Sequence, residues 1–133
     1  MQTVTPIDIE AAIVAELAHA MPDADVHASP TPPDVGAGYL VVQTVGAAKQ
    51  TPVSDSFDLV IYAFETTYGA AMTLGTRACT AIRALETRGA QASAATFTTS
   101  EARPPYDDPD PDRPNLRRVT VRAVVGARGI PII

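Results

Sequence analysis

The 133-residue sequence has no tryptophan, one cysteine, two histidines and one lysine. The lone cysteine, Cys79, excludes an internal disulfide and is typical of a reducing compartment. His19 and His27 are distant from it in sequence, so the clustered ligands of a structural zinc site are lacking. Glycine-rich phosphate loops, nucleophile elbows and metalloprotease helices are also absent. We therefore predict no catalytic, cofactor-binding or metal site, and interpret these three residues as ordinary surface or core side chains.

Long apolar runs are missing as well. No stretch approaches the roughly 20 residues of a membrane span, and the N-terminus lacks the basic and apolar regions of a signal peptide. The net charge is −5 and the pI about 4.8. All nine arginines lie from Arg77 onward, but acidic residues are interleaved with them. Because nucleic-acid binding needs a basic patch, we do not expect it here.

What is present suffices for a folded core. Hydrophobic residues make up 46% of the chain and charged residues 19%, which excludes a disordered chain and favours one domain. A first helix is predicted with Thr5 as its cap, Pro6 in its first turn and Pro22 after its end. Its apolar stripe recurs at spacings of three and four residues, and comprises Ile9, Ala12, Ile13, Leu17 and Ala20.

Strands are predicted around residues 26–29, at Tyr39–Val45 and at Phe57–Phe64, with residues 46–53 as a connector between the last two. The Phe57–Phe64 segment is apolar on both faces except at Asp58, so it is placed centrally or under a partner subunit. A second helix is predicted from about Tyr68 to Arg88, capped by Thr67 and ended by Gly89.

A weak, edge-like strand follows at residues 92–103, and a clean alternating strand at residues 116–125. The latter directs Val119, Val121, Ala123 and Val125 to one face. The expected fold class is α+β: a two-layer arrangement with a mostly antiparallel β-sheet of four to five strands and two α-helices packed on one face. Residues 1–127 are predicted to form a single domain, and residues 128–133 an apolar tail.

Residues 103–115 form a proline- and aspartate-rich loop. Its five prolines exclude a helix and deny the donors of a central strand. The aspartates favour a solvated loop; a calcium site is the weaker interpretation, because the glycine and terminal glutamate of an EF-hand are lacking. Tyr106 is either an interface anchor or an exposed loop tyrosine.

The outer face of the last strand and the apolar tail suggest contacts with other proteins. Arg118 and Arg122 either pair with carboxylates of a neighbouring subunit or lie on a solvated face, and the tail either docks or is frayed. The loops at residues 45–53 and 103–115 are predicted to make further contacts. The candidate interface residues are Lys49, Thr51, Tyr106, Asp107, Asp108, Asp110, Arg113, Arg118, Arg122, Ile130 and Ile132.

The order of segments resembles the tail terminator proteins of long-tailed bacteriophages, notably those infecting actinobacteria. The resemblance covers about residues 6–127. It rests on the acidic amphipathic first helix, the Thr51-Pro-Val53 turn and the alanine-rich second helix. The most specific part is Pro-Tyr-Asp-Asp-Pro-Asp-Pro-Asp-Arg-Pro (residues 105–114), which leads into Arg-Arg-Val-Thr-Val (residues 117–121).

This resemblance implies a non-enzymatic virion protein, made in the host cytoplasm and located at the head-proximal end of the tail. Such proteins form a homo-oligomeric ring, expected to be a hexamer, that ends polymerisation of the major tail tube protein. The ring also joins the tail to head-tail connector or stopper proteins, and DNA passes its lumen only transiently and non-specifically. No membrane and no cofactor is implied.

Three alternatives remain open at this point. One is another neck protein, such as a head-completion, stopper or tail-assembly protein. Another is a small cytoplasmic enzymatic or ligand-binding α+β domain, and the third is a stand-alone bacterial regulator that acts through protein contacts.

Overall fold

The computed structural model describes residues 4–30 and 38–131. The elements, in chain order, are β1 (Val4–Thr5), α1 (Ile9–Ala20), β2 (Asp25–Ala28), β3 (Tyr39–Thr51), β4 (Ser54–Glu65), α2 (Tyr68–Arg83), α3 (Leu85–Arg88), β5 (Phe97–Ala102), β6 (Tyr106–Asp107), β7 (Arg117–Arg128) and β8 (Ile130–Pro131).

The main sheet has six strands in the order β2-β3-β4-β7-β5, with the short β6 added to β7. Only β2 and β3 are parallel; every other pair in this sheet is antiparallel. The α+β class is thus confirmed, although the strands number six rather than four or five. The sequence correctly predicted β4 as a central strand and β5 as an edge strand. The short β1 and β8 form a separate antiparallel pair.

The helices α1, α2 and α3 share one buried cluster with alternate residues of the strands. From β7 this cluster takes the four predicted core residues, each at most 4% exposed. The opposite face of the sheet carries a smaller cluster of Tyr39, Val41 and Phe64, against which Leu116 packs. Non-helical residues cover part of the face opposite the helices. The expected arrangement of two layers, a sheet and the helices on one side of it, therefore stays a prediction.

The start of α1 differs from expectation. Thr5 is not its cap, because Thr5 lies in β1 and pairs with Ile130. The helix begins only after Asp8, whose Oδ1 accepts a hydrogen bond from the Ala11 amide at 3.2 Å. Pro6 therefore lies before the helix, and Asp8 acts as the cap that Thr5 was expected to provide.

The prediction of a connector at residues 46–53 is also wrong. Strand β3 continues to Thr51, and only Pro52 and Val53 separate it from β4. Residues 46–51 pair with residues 54–58, with register shifts after Thr44 and after Lys49. Such bulges let small and polar residues continue a ladder that their sequence does not signal.

Thr67 caps α2 as predicted: its side chain accepts a hydrogen bond from the Ala70 amide at 3.2 Å, and Gly89 (φ 78°) ends α3. The single predicted helix is interrupted at Ala84. There the buried Ser100 hydroxyl accepts from the Glu86 amide at 3.0 Å and donates to the Arg83 carbonyl at 3.3 Å. A side chain inserted into the backbone ladder is a common cause of a break in a helix.

A buried carboxylate joins α1 to the loop before β5. Glu16 is 5% exposed. Its Oε1 accepts from the Gln91 amide at 2.8 Å; its Oε2 accepts from the amides of Ala92 (3.1 Å) and Ser93 (2.8 Å) and from the Ser93 hydroxyl at 2.7 Å. Burial raises the pKa of Glu16, but the hydrogen bonds from Gln91, Ser93 and Ala92 outweigh it, so the pKa lies below its ordinary value of 4.5.

The middle of α2 lies very close to β7. A Cβ atom on Gly75 would lie 2.8 Å from Val119 Cγ2 and 2.9 Å from Pro105 Cβ. A glycine is therefore required here for the helix to approach the strand and the proline-rich loop. None of the described helices is long and apolar enough to cross a membrane.

Candidate interaction surface

The face of the sheet opposite the helices is half covered by the chain itself. We call residues 103–116 the proline loop. The loop folds back over this face, and its residues Tyr106 and Asp107 form β6, which pairs with Thr120 and Val119 of β7. The predicted loop is thus present, but it contributes a strand to the sheet.

The proline loop is held mainly through Arg118 and Thr120. The Arg118 Nε donates to the Asp108 carbonyl at 2.6 Å, and its guanidinium lies 3.3 Å from the Asp108 carboxylate and 3.8 Å from that of Asp110. The Thr120 hydroxyl, buried at 1% exposure, donates to Asp108 Oδ2 at 2.7 Å. The interpretation of a fully solvated aspartate cluster is therefore wrong for Asp108 and Asp110.

Aromatic rings form the floor beneath this loop. Tyr39 and Phe64 stack with centroids 4.6 Å apart, and burial raises the pKa of the Tyr39 hydroxyl. The guanidinium of Arg118 lies 4.7 Å from the Tyr62 ring centroid, and that of Arg113 lies 5.9 Å from the Phe64 centroid. These cation–π contacts fix the covered half of the face.

The other half of the face is a groove of about 470 Å³ across β3, β4, β7 and β5. Val45 is 56% exposed and Val124 39% exposed in it. Asp58, Val124 and Glu101 are register partners on three adjacent strands. We call Asp58 and Glu101 the acidic row.

One pleat along the same strands, Val60 lies opposite Arg122, and the Arg103 amide donates to the Arg122 carbonyl at 2.9 Å. We call Arg103 and Arg122 the basic row. The Arg122 Nε donates to the Tyr106 hydroxyl at 3.3 Å, and this contact raises the pKa of Arg122.

Three of the four charged side chains of the acidic and basic rows lack a hydrogen-bond or ion-pair partner among the described residues. Within residues 4–30 and 38–131, the side chains of Asp58, Glu101 and Arg103 make no hydrogen bond or ion pair with the protein. The groove thus combines exposed valines with unpaired charges of both signs. Neighbouring residues of the same strand, Arg118 and Thr120, are satisfied within the chain.

The structure brings six of the predicted interface residues to one face of the sheet: Tyr106, Asp108, Asp110, Arg113, Arg118 and Arg122. Lys49 and Thr51 lie at the exposed end of the β3–β4 hairpin, and Asp107 is exposed on β6. Ile130 pairs with Thr5 while its side chain stays 59% exposed, and Ile132 lies outside the described residues. Whether any of these residues contacts another subunit stays a prediction.

Apart from Arg122, and Val45 within the predicted contact segment 45–53, sequence reasoning missed the residues that form the groove. Two signals were available. Asp58 interrupts an otherwise apolar strand, and Val124 occupies the outward position where Arg118, Thr120 and Arg122 are polar. Glu101 and Arg103 carried no such signal, because their place beside the groove depends on the pairing of β5 with β7. No cluster of three or more potential metal ligands occurs among the described residues.

No protein-family model matches the chain, and no curated protein is significantly similar to it in sequence. Solved structures are similar to it in fold. One is a chain of the virion of a native gene transfer agent (GTA) particle, with a TM-score of 0.64 and 14% sequence identity. The similarity covers 91% of this chain and 95% of that one. At this identity the comparison shows a shared fold.

Proposed function

We propose that this chain is a structural protein of a phage-like virion, specifically a tail terminator. In this role, copies of the chain form a ring at the head-proximal end of the tail. The ring stops polymerisation of the tail tube protein and presents a surface to the head-tail connector.

One observation carries the proposal: nearly the whole chain shares its fold with nearly the whole of a chain from a virion particle. The resemblance of residues 6–127 to tail terminators supports it independently, because it rests on sequence segments and not on the fold. The half-open sheet face supports an assembly role, since exposed valines beside unpaired charges are typical of a surface that meets another protein.

Other neck proteins remain the closest competing function, because a shared fold with one virion chain does not distinguish the positions within a neck. A head-completion or stopper protein would sit on the head side of the joint, whereas a terminator sits on the tail side.

Electron microscopy of particles produced without this gene tests the proposal. A terminator's absence should give overlong tails or tails without heads. Tails of normal length beside tail-less heads would assign the chain to the head side. Normal infectious particles would refute a structural role altogether.

A further inference from the structure

The covered half of the sheet face shows what kind of segment this face accepts. Strand β6 pairs with the edge of β7, and Asp108, which follows it, supplies a carboxylate to Arg118 and Thr120 on the outer face. The uncovered half continues along the same strands but has no such segment among the described residues. Its chemistry therefore indicates what an additional segment would have to provide.

A segment complementary to the groove would carry a cation and an anion, spaced to match the acidic and basic rows. Cross-strand neighbours in a sheet lie about 5 Å apart, and successive same-face positions along a strand about 7 Å apart. A cation would complement the acidic row, and an anion one pleat away would complement the basic row. Val124 lies between Asp58 and Glu101 in the acidic row, and together with Val45 it gives the groove an exposed apolar surface.

The end of the β3–β4 hairpin provides a cation and an anion at a comparable spacing, about 5 Å. Lys49 and Asp55 are direct register partners on its two strands, so a cation and an anion lie side by side. Lys49 is exposed and Asp55 half-buried, and neither forms an ion pair within the described residues. Ala47, two residues before Lys49 and on the same side of the strand, is small, apolar and exposed.

We propose that the end of the β3–β4 hairpin of one copy docks into the groove of a second copy. Lys49 then faces the acidic row, Asp55 faces the basic row, and Ala47, which points to the same side of the hairpin as Lys49, covers the exposed valines. The hairpin end and the groove are different surfaces, so the contact is head-to-tail and closes into a ring when the rotation between copies allows it. The proposal deepens the tail-terminator function and rests on the ring expected there.

Cysteine cross-linking of the full-length protein tests the contact directly. The double variant Ala47→Cys/Val124→Cys carries one thiol on each surface. Within one copy these positions lie two strands apart, roughly 10 Å, which is too far for a disulfide. The native Cys79 is buried and stays in place. Under mild oxidation at high protein concentration, the double variant should form a ladder of dimers, trimers and larger species.

The single variants serve as matched controls. In a head-to-tail contact, neither Ala47→Cys nor Val124→Cys alone brings two thiols together, so both should stay uncross-linked. A dimer from Val124→Cys alone would mean that two grooves face each other, and it would overturn the proposal. The absence of a ladder from the double variant would overturn it too.

Charge reversal gives an independent test without covalent trapping. Lys49→Glu reverses the hairpin end, and Glu101→Lys reverses the groove. Each variant alone should weaken self-association at least ten-fold in analytical ultracentrifugation while keeping the wild-type circular dichroism spectrum. An equimolar mixture should regain association, because each surface then finds a complementary one. Failure of the mixture to recover would contradict the pairing of these two residues.

These results are separable from the proposed virion role. Particles that assemble normally without the gene would refute the tail-terminator function but leave a cross-linked ladder intact. Conversely, a missing ladder beside overlong tails would keep the function and remove only this contact.

Discussion

Replacement of Glu16 by glutamine should destabilise the protein far more than the loss of one surface charge. The carboxylate accepts four hydrogen bonds, three of them from consecutive backbone amides of residues 91–93. Glutamine keeps one acceptor oxygen and points an NH₂ group at the remaining donors. Hydrogen bonds to a charged group contribute about 1.5–3 kcal/mol each, and a donor left facing another donor costs a similar amount.

Residues 91 and 92 are exposed, so water can replace part of what is lost. We therefore expect Glu16→Gln to lower the free energy of unfolding by about 2 kcal/mol, well above the typical effect of a surface change. Urea denaturation at pH 7 measures this difference. Glu86→Gln is the matched control: it removes the same charge from an exposed helical position and should cost less than about 0.5 kcal/mol.

The pH dependence gives this prediction its sharpest form. Because the folded pKa of Glu16 lies below 4.5, the native state binds the proton more weakly than the unfolded chain does. The stabilisation is therefore fully present above pH 4.5 and is lost as the pH falls through the folded pKa. The difference in free energy of unfolding between wild type and Glu16→Gln should be constant from pH 7 to 5.5 and shrink below pH 4.5. Equal stability of the two glutamine variants, or a gap that grows in acid, would refute the reasoning.

Three further substitutions test the packing that positions the surface. Gly75→Ala should destabilise by about 1–3 kcal/mol in thermal unfolding, because its Cβ would overlap Val119 and Pro105. Gly69→Ala, where nothing lies within 4 Å, should instead stabilise by up to about 1 kcal/mol, and the same sign for both would contradict this account. Asp108→Ala should cost about 1–3 kcal/mol and speed hydrogen exchange of the β6 amides, whereas Asp107→Ala, whose exposed side chain makes no hydrogen bond or ion pair with the described residues, should do neither. Thr67→Ala should cost about 1 kcal/mol through loss of the α2 cap; an equal cost for the adjacent Thr66→Ala would argue against capping.

The sequence predicted those parts of the fold that local periodicity determines. The alternation of β7, the apolar run of β4 and the cap at Thr67 each follow from a pattern within a few residues, and each is confirmed. The break at Ala84 could not be predicted in the same way, because its cause is the hydroxyl of Ser100, which comes from a different strand.

The length of the β3–β4 hairpin was not predicted from the sequence, for a related reason. Residues 46–51 contain small and polar side chains with no clear alternation, and they are strand only because residues 54–58 pair with them. The proline loop shows the same limit. Its prolines correctly excluded a helix, yet nothing local indicated that Asp108 would bond to Thr120 and bring the loop over the sheet.

The proline loop covers one of two arginines that occupy equivalent outward positions in the sequence of β7. Arg118 already bonds to Asp108 and contacts Tyr62, so Arg118→Glu would place two carboxylates together and detach the chain's own loop. Arg122 is exposed, and within residues 4–30 and 38–131 its side chain bonds only to the Tyr106 hydroxyl. Arg122→Glu should therefore leave the fold intact and weaken only association between copies, because it removes half of the basic row. Thermal unfolding and ultracentrifugation of both variants distinguish these effects: a folded, fully associating Arg122→Glu protein would show that the open half of this sheet face is simply solvated.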